Sequence, residues 1–127
     1  MKILILGGDG FCGWPTTLHL SNLGHEILIV DSFARREIES ELGAYSLTPI
    51  LSLNDRLNSW HKISGFKINY KNFDLSKNFD LLLDLLKYEK PEAIIHFAEQ
   101  RAAPYSMKTA SHKIYTVNNN ISCTNIL

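Results

Sequence analysis

Residues 3–13 read Ile-Leu-Ile-Leu-Gly-Gly-Asp-Gly-Phe-Cys-Gly, and this stretch decides the fold. Its first four residues are all apolar, which is typical of a β-strand buried on both faces, as in a parallel sheet. The glycines at positions 7, 8, 10 and 13 satisfy both G-x-G-x-x-G and G-x-x-G-x-x-G. Such a loop needs glycine for a tight turn off the strand, for close approach of the backbone to a pyrophosphate, and for close packing of the next helix.

A helix is predicted directly after the loop. Phe11, Trp14, Pro15 and Leu18 follow at i, i+3, i+4 and i+7, the spacing of a helix with one apolar face, and Gly24 ends it. The proline is compatible only with the first turn, where its missing N–H would have no partner within the helix. The start of this helix offers N–H groups and the positive end of the helix dipole to a phosphate.

An acidic residue at the end of the second strand completes the pattern. Ile27–Val30 is a second buried strand, and Asp31 stands at its carboxyl end, 18 residues after Gly13. A carboxylate at this distance binds the adenosine ribose hydroxyls of a dinucleotide. It favours NAD, because it would repel the 2′-phosphate of NADP. Arg35 and Arg36 leave two alternatives open, since arginines here either accept a 2′-phosphate or form a solvated charged face.

The rest of the chain continues the alternation of strands and helices. One or two short helices are expected within residues 32–64. Lys67–Tyr70 is a weaker third strand, Ala93–Ala98 is a fourth, and residues 79–86 and 104–127 are predicted helices. This order predicts an α/β fold, a Rossmann-type doubly wound parallel sheet with strand order 3-2-1-4. We expect the sheet to be truncated before its later strands.

Composition excludes several classes of protein. The 127 residues include 13 Lys+Arg and 13 Asp+Glu, which suits one globular domain and argues against nucleic acid as the main partner. Cys12 and Cys123 are too few for a disulfide scaffold and fit a reducing compartment. No signal peptide and no apolar run of ~18 residues is visible. We therefore expect a cytoplasmic protein with no membrane span, and no metal site is predicted.

Further candidate site residues lie at the ends of the later strands. Asp74 follows strand three and either hydrogen-bonds an adenine amino group or caps the next helix. His96, Phe97 and Ala98 end strand four, beside the point where α/β sheets bind ligands, and small residues there let a nicotinamide ribose sit close. The guanidinium of Arg101 suits diphosphate or sulfonate oxygens, although a surface ion pair is the alternative.

The glycine loop and Asp31 resemble the extended short-chain dehydrogenase/reductase family of nucleotide-sugar epimerases and dehydratases. Ser46–Ile50 (SLTPI) and Glu99–Met107 (EQRAAPYSM) are similar to those family members that make a sulfonated nucleotide sugar. The resemblance covers the whole chain and implies that UDP-glucose and sulfite are the substrates and NAD the cofactor. It implies hydride transfer from C4 of the glucose, loss of water across C5–C6, addition of sulfite at C6, and return of the hydride.

The resemblance also implies roles for individual residues. Those that would lie on the pyrophosphate are Gly7, Gly10, Phe11, Cys12 and Gly13. Those around the adenosine would be Asp31, Ser32, Phe33, Ala34 and Arg36, with Asp74 and Leu75 at the adenine. Those near the nicotinamide would be Phe97 and Ala98, supported by Asn119. Those facing the sugar nucleotide or sulfite would be Gln100, Arg101 and Tyr105.

The family's chemistry also needs a Tyr-x-x-x-Lys pair, in which the lysine lowers the pKa of the tyrosine. The residues four positions after the five tyrosines are Pro49, Asp74, Glu92, Thr109 and Asn119, none of them lysine. We therefore expect residues 1–127 to be the N-terminal part of an NAD-binding domain, without the C-terminal substrate domain and inactive alone. The alternatives are a related enzyme with another product and a short, non-catalytic nucleotide-binding chain. The resemblance further implies a homodimer in the complete protein, paired through helices that include the one beginning near Ser111.

Overall fold

The structure, a computed structural model, describes residues 1–125. Its four parallel strands form one sheet in the order β3-β2-β1-β4, with helices on both faces, which confirms the predicted fold class. The elements are β1 (Lys2–Leu6), α1 (Gly13–Asn22), β2 (Glu26–Asp31), α2 (Ala34–Leu42), α3 (Leu53–Ser64), β3 (Asn69–Asn72), α4 (Phe79–Glu89), β4 (Ala93–His96), α5 (Ala103–Ser106) and α6 (Ala110–Asn125). The last two residues of the predicted helix 104–127, Ile126 and Leu127, lie outside the described residues.

The two central strands, β1 and β2, carry a core on each face of the sheet. One face packs the isoleucines of both strands against α3, and its buried residues are Ile3, Ile5, Ile27, Ile29, Leu53, Leu57 and Ile68. The opposite face packs against α4 and α6, and its buried residues are Leu4, Leu6, Leu28, Val30, Leu75, Leu82 and Cys123. Burial of each such side chain stabilises the fold by roughly 1.5–3 kcal/mol, so these strands are firmly held.

The irregular stretch 32–64 forms two helices, as expected. The second of them, α3, begins after Ser52, whose hydroxyl accepts a hydrogen bond from the N–H of Asp55 at 3.2 Å. Leu53 and Leu57 then bury one face of α3 against the sheet. The first, α2, has no buried residue and lies beside the carboxyl end of β2. None of the helices in the described part of the chain is both long and apolar enough to cross a membrane.

Several predicted boundaries differ from the structure. Helix α1 begins at Gly13, so Phe11 lies in the loop and is exposed, and α4 continues to Glu89. Strand β3 runs over Asn69–Asn72, two residues later than predicted, because it is an exposed edge strand whose limits are set by pairing with β2 rather than by apolar residues. Strand β4 ends at His96, because β1 ends at Leu6 and the glycine loop offers no further partner. The predicted C-terminal helix is divided into α5 and α6, with residues 107–109 between them.

Candidate functional site

A cleft of about 580 Å³ lies at the carboxyl ends of β1, β2 and β4. The chain leaves β1 towards β2 on one side, while β4 pairs with β1 on the other, so the cleft lies where the strand order reverses. Ligands of open α/β sheets bind at this point, and the volume suits a bound small molecule or cofactor. The glycine loop and the N-terminal end of α1 form one wall of it.

The glycines of the loop are required for two different reasons. A Cβ on Gly13 would lie 2.1 Å from the carbonyl oxygen of Gly7, and a Cβ on Gly7 would lie 2.7 Å from the backbone of Phe97 and Ala98. These two glycines are therefore fixed by close backbone packing. At Gly10 a Cβ would meet only the Gly7 oxygen, at 3.2 Å, so the space beside it is open to the cleft. This open cradle at the end of a helix fits a pyrophosphate.

Asp31 orients the loop as well as lining the cleft. Its Oδ2 accepts a hydrogen bond from the N–H of Asp9, and its Oδ1 accepts one from the N–H of Phe33, both at 2.8 Å. Burial raises the pKa of the Asp31 carboxyl, and the two N–H groups offset only part of that rise. The carboxylate keeps free lone pairs, so its geometry suits the predicted bonds to ribose hydroxyls.

An ionic cluster of Asp9, Arg36 and Arg56, centred on the buried Asp9 carboxylate, supports the loop. The Asp9 side chain is only 3% exposed. Its Oδ2 accepts from Arg36 Nε at 2.9 Å, and its Oδ1 accepts from Arg56. The Arg56 guanidinium also lies 4.4 Å from the centre of the Trp14 ring, in cation–π geometry. Sequence reasoning missed this cluster, and the one available signal was an acid inside an otherwise uncharged glycine loop.

Asp74 makes local contacts and also lines the cleft. Its Oδ1 accepts from the N–H and the hydroxyl of Ser76, at 2.9 and 2.6 Å, and its Oδ2 lies 3.0 Å from Lys77 Nζ. Burial acts to raise the pKa of Asp74, but the bonds from Ser76 and Lys77 lower it overall. Helix α4 begins only at Phe79, so Asp74 braces the turn before that helix rather than capping it. The adenine role stays a prediction.

The segment after β4 is fastened to α6. The N–H of Gln100 donates to Asn120 Oδ1 at 2.8 Å, and Asn120 Nδ2 donates to the Gln100 carbonyl at 3.0 Å. Gln100 Oε1 accepts from the N–H of Ala102, while its Nε2 is buried and has no partner within residues 1–125. The guanidinium of Arg101 lies 5.9 Å from the Phe11 ring, across the cleft from the loop. Sequence reasoning did not single out Asn120, which positions this segment.

Most of the predicted site residues meet in this one cleft. Those that line it are Gly7, Gly10, Phe11, Cys12, Gly13, Asp31, Ser32, Ala34, Asp74, Leu75, Phe97, Ala98, Gln100, Arg101 and Asn119. Three do not line it. Phe33 packs beside Tyr70, Arg36 is bound to Asp9, and Tyr105 is buried against His112 and Tyr115 at a neighbouring cavity of about 330 Å³. The ligand contacts themselves stay predictions.

Comparison with known proteins finds a matching protein family, similar sequences and a similar solved structure. The model of the NAD dependent epimerase/dehydratase family matches residues 3–127. The chain is 41% identical over 94% of its length to the UDP-sulfoquinovose synthases of Spinacia oleracea (chloroplastic) and Sulfolobus acidocaldarius, and it covers 25% and 30% of those proteins. The structure of UDP-glucose 4-epimerase from Bifidobacterium longum in complex with NAD+ and UDP matches with a TM-score of 0.75 at 22% identity, covering 100% of this chain and 32% of that one.

Proposed function

The chain belongs to the NAD-dependent epimerase/dehydratase family, and on that basis we propose that it is the N-terminal, NAD-binding part of an enzyme that makes UDP-sulfoquinovose from UDP-glucose and sulfite. The observation that carries the proposal is the 41% identity to two UDP-sulfoquinovose synthases over nearly the whole chain. The resemblance stated from the sequence is thereby confirmed. The stretch Glu99–Met107 favours this product over that of a simple epimerase.

NAD is the cofactor of this family, as the sequence predicted. When bound, it supplies the site with a hydride acceptor that later returns the hydride. The open space beside Gly10 would hold the pyrophosphate at the positive end of α1. The Asp31 carboxylate would accept hydrogen bonds from the adenosine ribose, and Phe97 and Ala98 would line the nicotinamide side. These residues bind and orient the cofactor.

Gln100 and Arg101 are proposed to receive the sugar nucleotide or the sulfite. Both lie in the segment that Asn120 fastens to α6, so their backbone is held in place before a ligand arrives. The Gln100 amide nitrogen has a buried hydrogen that lacks an acceptor within the described residues, and a ligand oxygen would satisfy it. The Arg101 guanidinium would pair with diphosphate or sulfonate oxygens.

Proton transfer is assigned to residues outside this sequence. No tyrosine here has a lysine four positions later, and the chain spans 25% and 30% of the two synthases it resembles. We propose that the acid–base pair and most of the sugar site belong to the remainder of the enzyme. The 127 residues alone should bind NAD but turn over no substrate.

We propose that the complete enzyme is a homodimer whose subunits contact each other through α6. Ile114, Val117 and Ile121 are 60%, 48% and 55% exposed and recur at helical spacing on α6. A stripe of this kind on a helix is typical of a surface that packs against another helix. A second copy of the same chain is the partner that the family resemblance implies.

The test is the reaction of the complete protein with UDP-glucose, NAD and sulfite, followed by mass spectrometry of the nucleotide sugars. We expect a sulfonated UDP-sugar to form only when sulfite is present. Formation of UDP-galactose without any sulfonated sugar would refute the proposed product and favour an epimerase. Sulfonation by the 127-residue chain alone would refute the assignment of proton transfer to the missing part.

A further inference from the structure

The two arginines that follow β2 are engaged by acids to different degrees: Arg36 contacts acids through all three of its nitrogens, whereas Arg35, which lines the cleft, is paired through Nε alone. Arg35 Nε donates to Glu39 Oε1 at 2.7 Å. Arg36 donates to Asp9 from Nε and lies 2.9 Å from it through Nη2, while its Nη1 lies 3.6 Å from Glu39. Arginines placed after this strand can accept the 2′-phosphate of NADP, so these pairings decide whether that phosphate finds a partner here.

Asp9 lies next to the predicted ribose site. Its N–H donates to the Asp31 carboxylate at 2.8 Å, while its own side chain is 97% buried beneath the two guanidinium groups. Arg36 is therefore tied near Asp31 through two nitrogens, both of which contact the Asp9 carboxylate. Moving it towards a 2′-phosphate would leave a buried carboxylate with only Arg56, which is costly.

Arg56 completes the cluster from a distant part of the sequence. Its side chain is 14% exposed, lies on α3, and is held over Trp14 as well as by Asp9. Glu39, Asp31 and Asp9 together balance the charges of Arg35, Arg36 and Arg56. By formal charge these six side chains sum to zero, so the group carries no excess positive charge to attract a phosphate that carries about −1.5 to −2 charges near pH 7.

We propose that Asp9 is a specificity-determining residue for the cofactor: it holds Arg36 in the buried cluster and so makes the site select NAD over NADP. Arg56 is a positioning residue, which fixes Asp9 through its second oxygen. The Asp31 carboxylate repels the 2′-phosphate directly. Asp9 acts indirectly, because it binds Arg36, the cation that would otherwise attract the phosphate. This inference rests on the proposed NAD-binding function.

The test compares the affinities of NADH and NADPH, measured by fluorescence titration of the purified complete protein. In Asp9→Asn one negative charge is removed and the ion pair that holds Arg36 is lost, so NADPH affinity should rise ~10-fold relative to NADH. The double variant D9N/R36Q should lose that gain. The control Glu26→Gln makes the same charge change at the opposite end of β2, where Glu26 faces Lys2, and should leave the ratio unchanged.

The possible outcomes distinguish failure of the proposed function from failure of the role proposed for Asp9. If the wild-type complete protein binds neither dinucleotide, the proposed function fails. If it binds NADH but D9N leaves the NADPH/NADH ratio unchanged, or the gain persists in D9N/R36Q, the role of Asp9 is refuted. Asp9→Ser makes the same charge change with room for water beside the guanidinium groups. Loss of the folded state in both Asp9→Asn and Asp9→Ser, seen by circular dichroism, would also overturn the proposal in favour of a purely structural clamp.

Discussion

Replacing Gly13 by alanine should disrupt the glycine loop from within. The new Cβ would lie 2.1 Å from the Gly7 oxygen, 2.8 Å from the Gly8 Cα and 2.9 Å from the Gly7 carbonyl carbon. All three atoms belong to the backbone, so no side-chain rotation relieves the contact and the start of α1 must move off the loop. Overpacking of this kind costs ~3 kcal/mol of unfolding free energy. That is a large part of the ~5–15 kcal/mol that stabilises a small domain.

Gly10→Ala separates stability from binding. There the added Cβ meets only one atom, the Gly7 oxygen, at 3.2 Å, so a shift of a few tenths of an ångström accommodates it. We expect a loss of about 1 kcal/mol or less in unfolding free energy. The methyl group would nevertheless occupy the space needed by a pyrophosphate, so NADH affinity should fall at least ~10-fold, as for a displaced phosphate contact.

Urea unfolding followed by circular dichroism, with NADH fluorescence titration on the same samples, measures both quantities. Gly43→Ala is the matched control: Gly43 has a φ of 62° and open space around its Cβ position, so only the left-handed backbone is penalised, by ~1–2 kcal/mol. It should leave NADH affinity unchanged. Equal stability of Gly13→Ala and wild type, or equal destabilisation by Gly10→Ala and Gly13→Ala, would refute this division of roles.

Three further predictions concern side chains. Leu82→Ala, at a fully buried position of α4, should cost ~2–5 kcal/mol in urea unfolding, whereas Leu81→Ala, 52% exposed, should cost ~0.5 kcal/mol or less. Burial raises the pKa of the Cys123 thiol to about 11, so iodoacetamide near pH 8 should label the exposed Cys12 and spare Cys123. Mass spectrometry measures the labelling of each cysteine. Because Cys12 lines the cleft, bound NAD should slow its labelling. The Asp31 carboxylate would accept hydrogen bonds from the ribose hydroxyls more strongly when ionised than when protonated, so NAD affinity by calorimetry should fall as the pH drops through its raised pKa, at a higher pH than an ordinary aspartate requires.

The sequence was sufficient for the parts of the fold that burial specifies. Ile3–Leu6 and Ile27–Val30 are uninterrupted apolar runs, and both strands are where these runs predict them. The right-handed crossover rule then fixed the strand order. The bounds of β3 could not be predicted in this way, because all four of its residues are exposed and their pairing with β2 depends on tertiary contacts.

The ionic cluster could not be predicted either, and the reason is distance along the chain. Asp9, Arg36 and Arg56 come from a loop and two helices, separated by 27 and 20 residues. No local periodicity relates them, and each alone is typical of a solvated surface. Only the packing of α3 against the isoleucine face brings Arg56 beside Trp14 and in reach of the buried Asp9 side chain. The irregular stretch 32–64 therefore supplies part of the glycine loop's support.

The hydrogen bonds that Asp31 accepts from the loop leave part of its carboxylate free to bind a ligand. Two backbone N–H groups already occupy one position on each of its oxygens, yet an ionised carboxylate offers about four acceptor positions. It can therefore hold the loop and a ribose hydroxyl at the same time. An asparagine in its place would turn an NH2 group towards an N–H donor, so Asp31→Asn should disturb the loop as well as ribose binding. Cofactor selectivity is better tested at Asp9, because its backbone N–H and not its side chain bonds Asp31, so that its substitution leaves both bonds to the Asp31 carboxylate available.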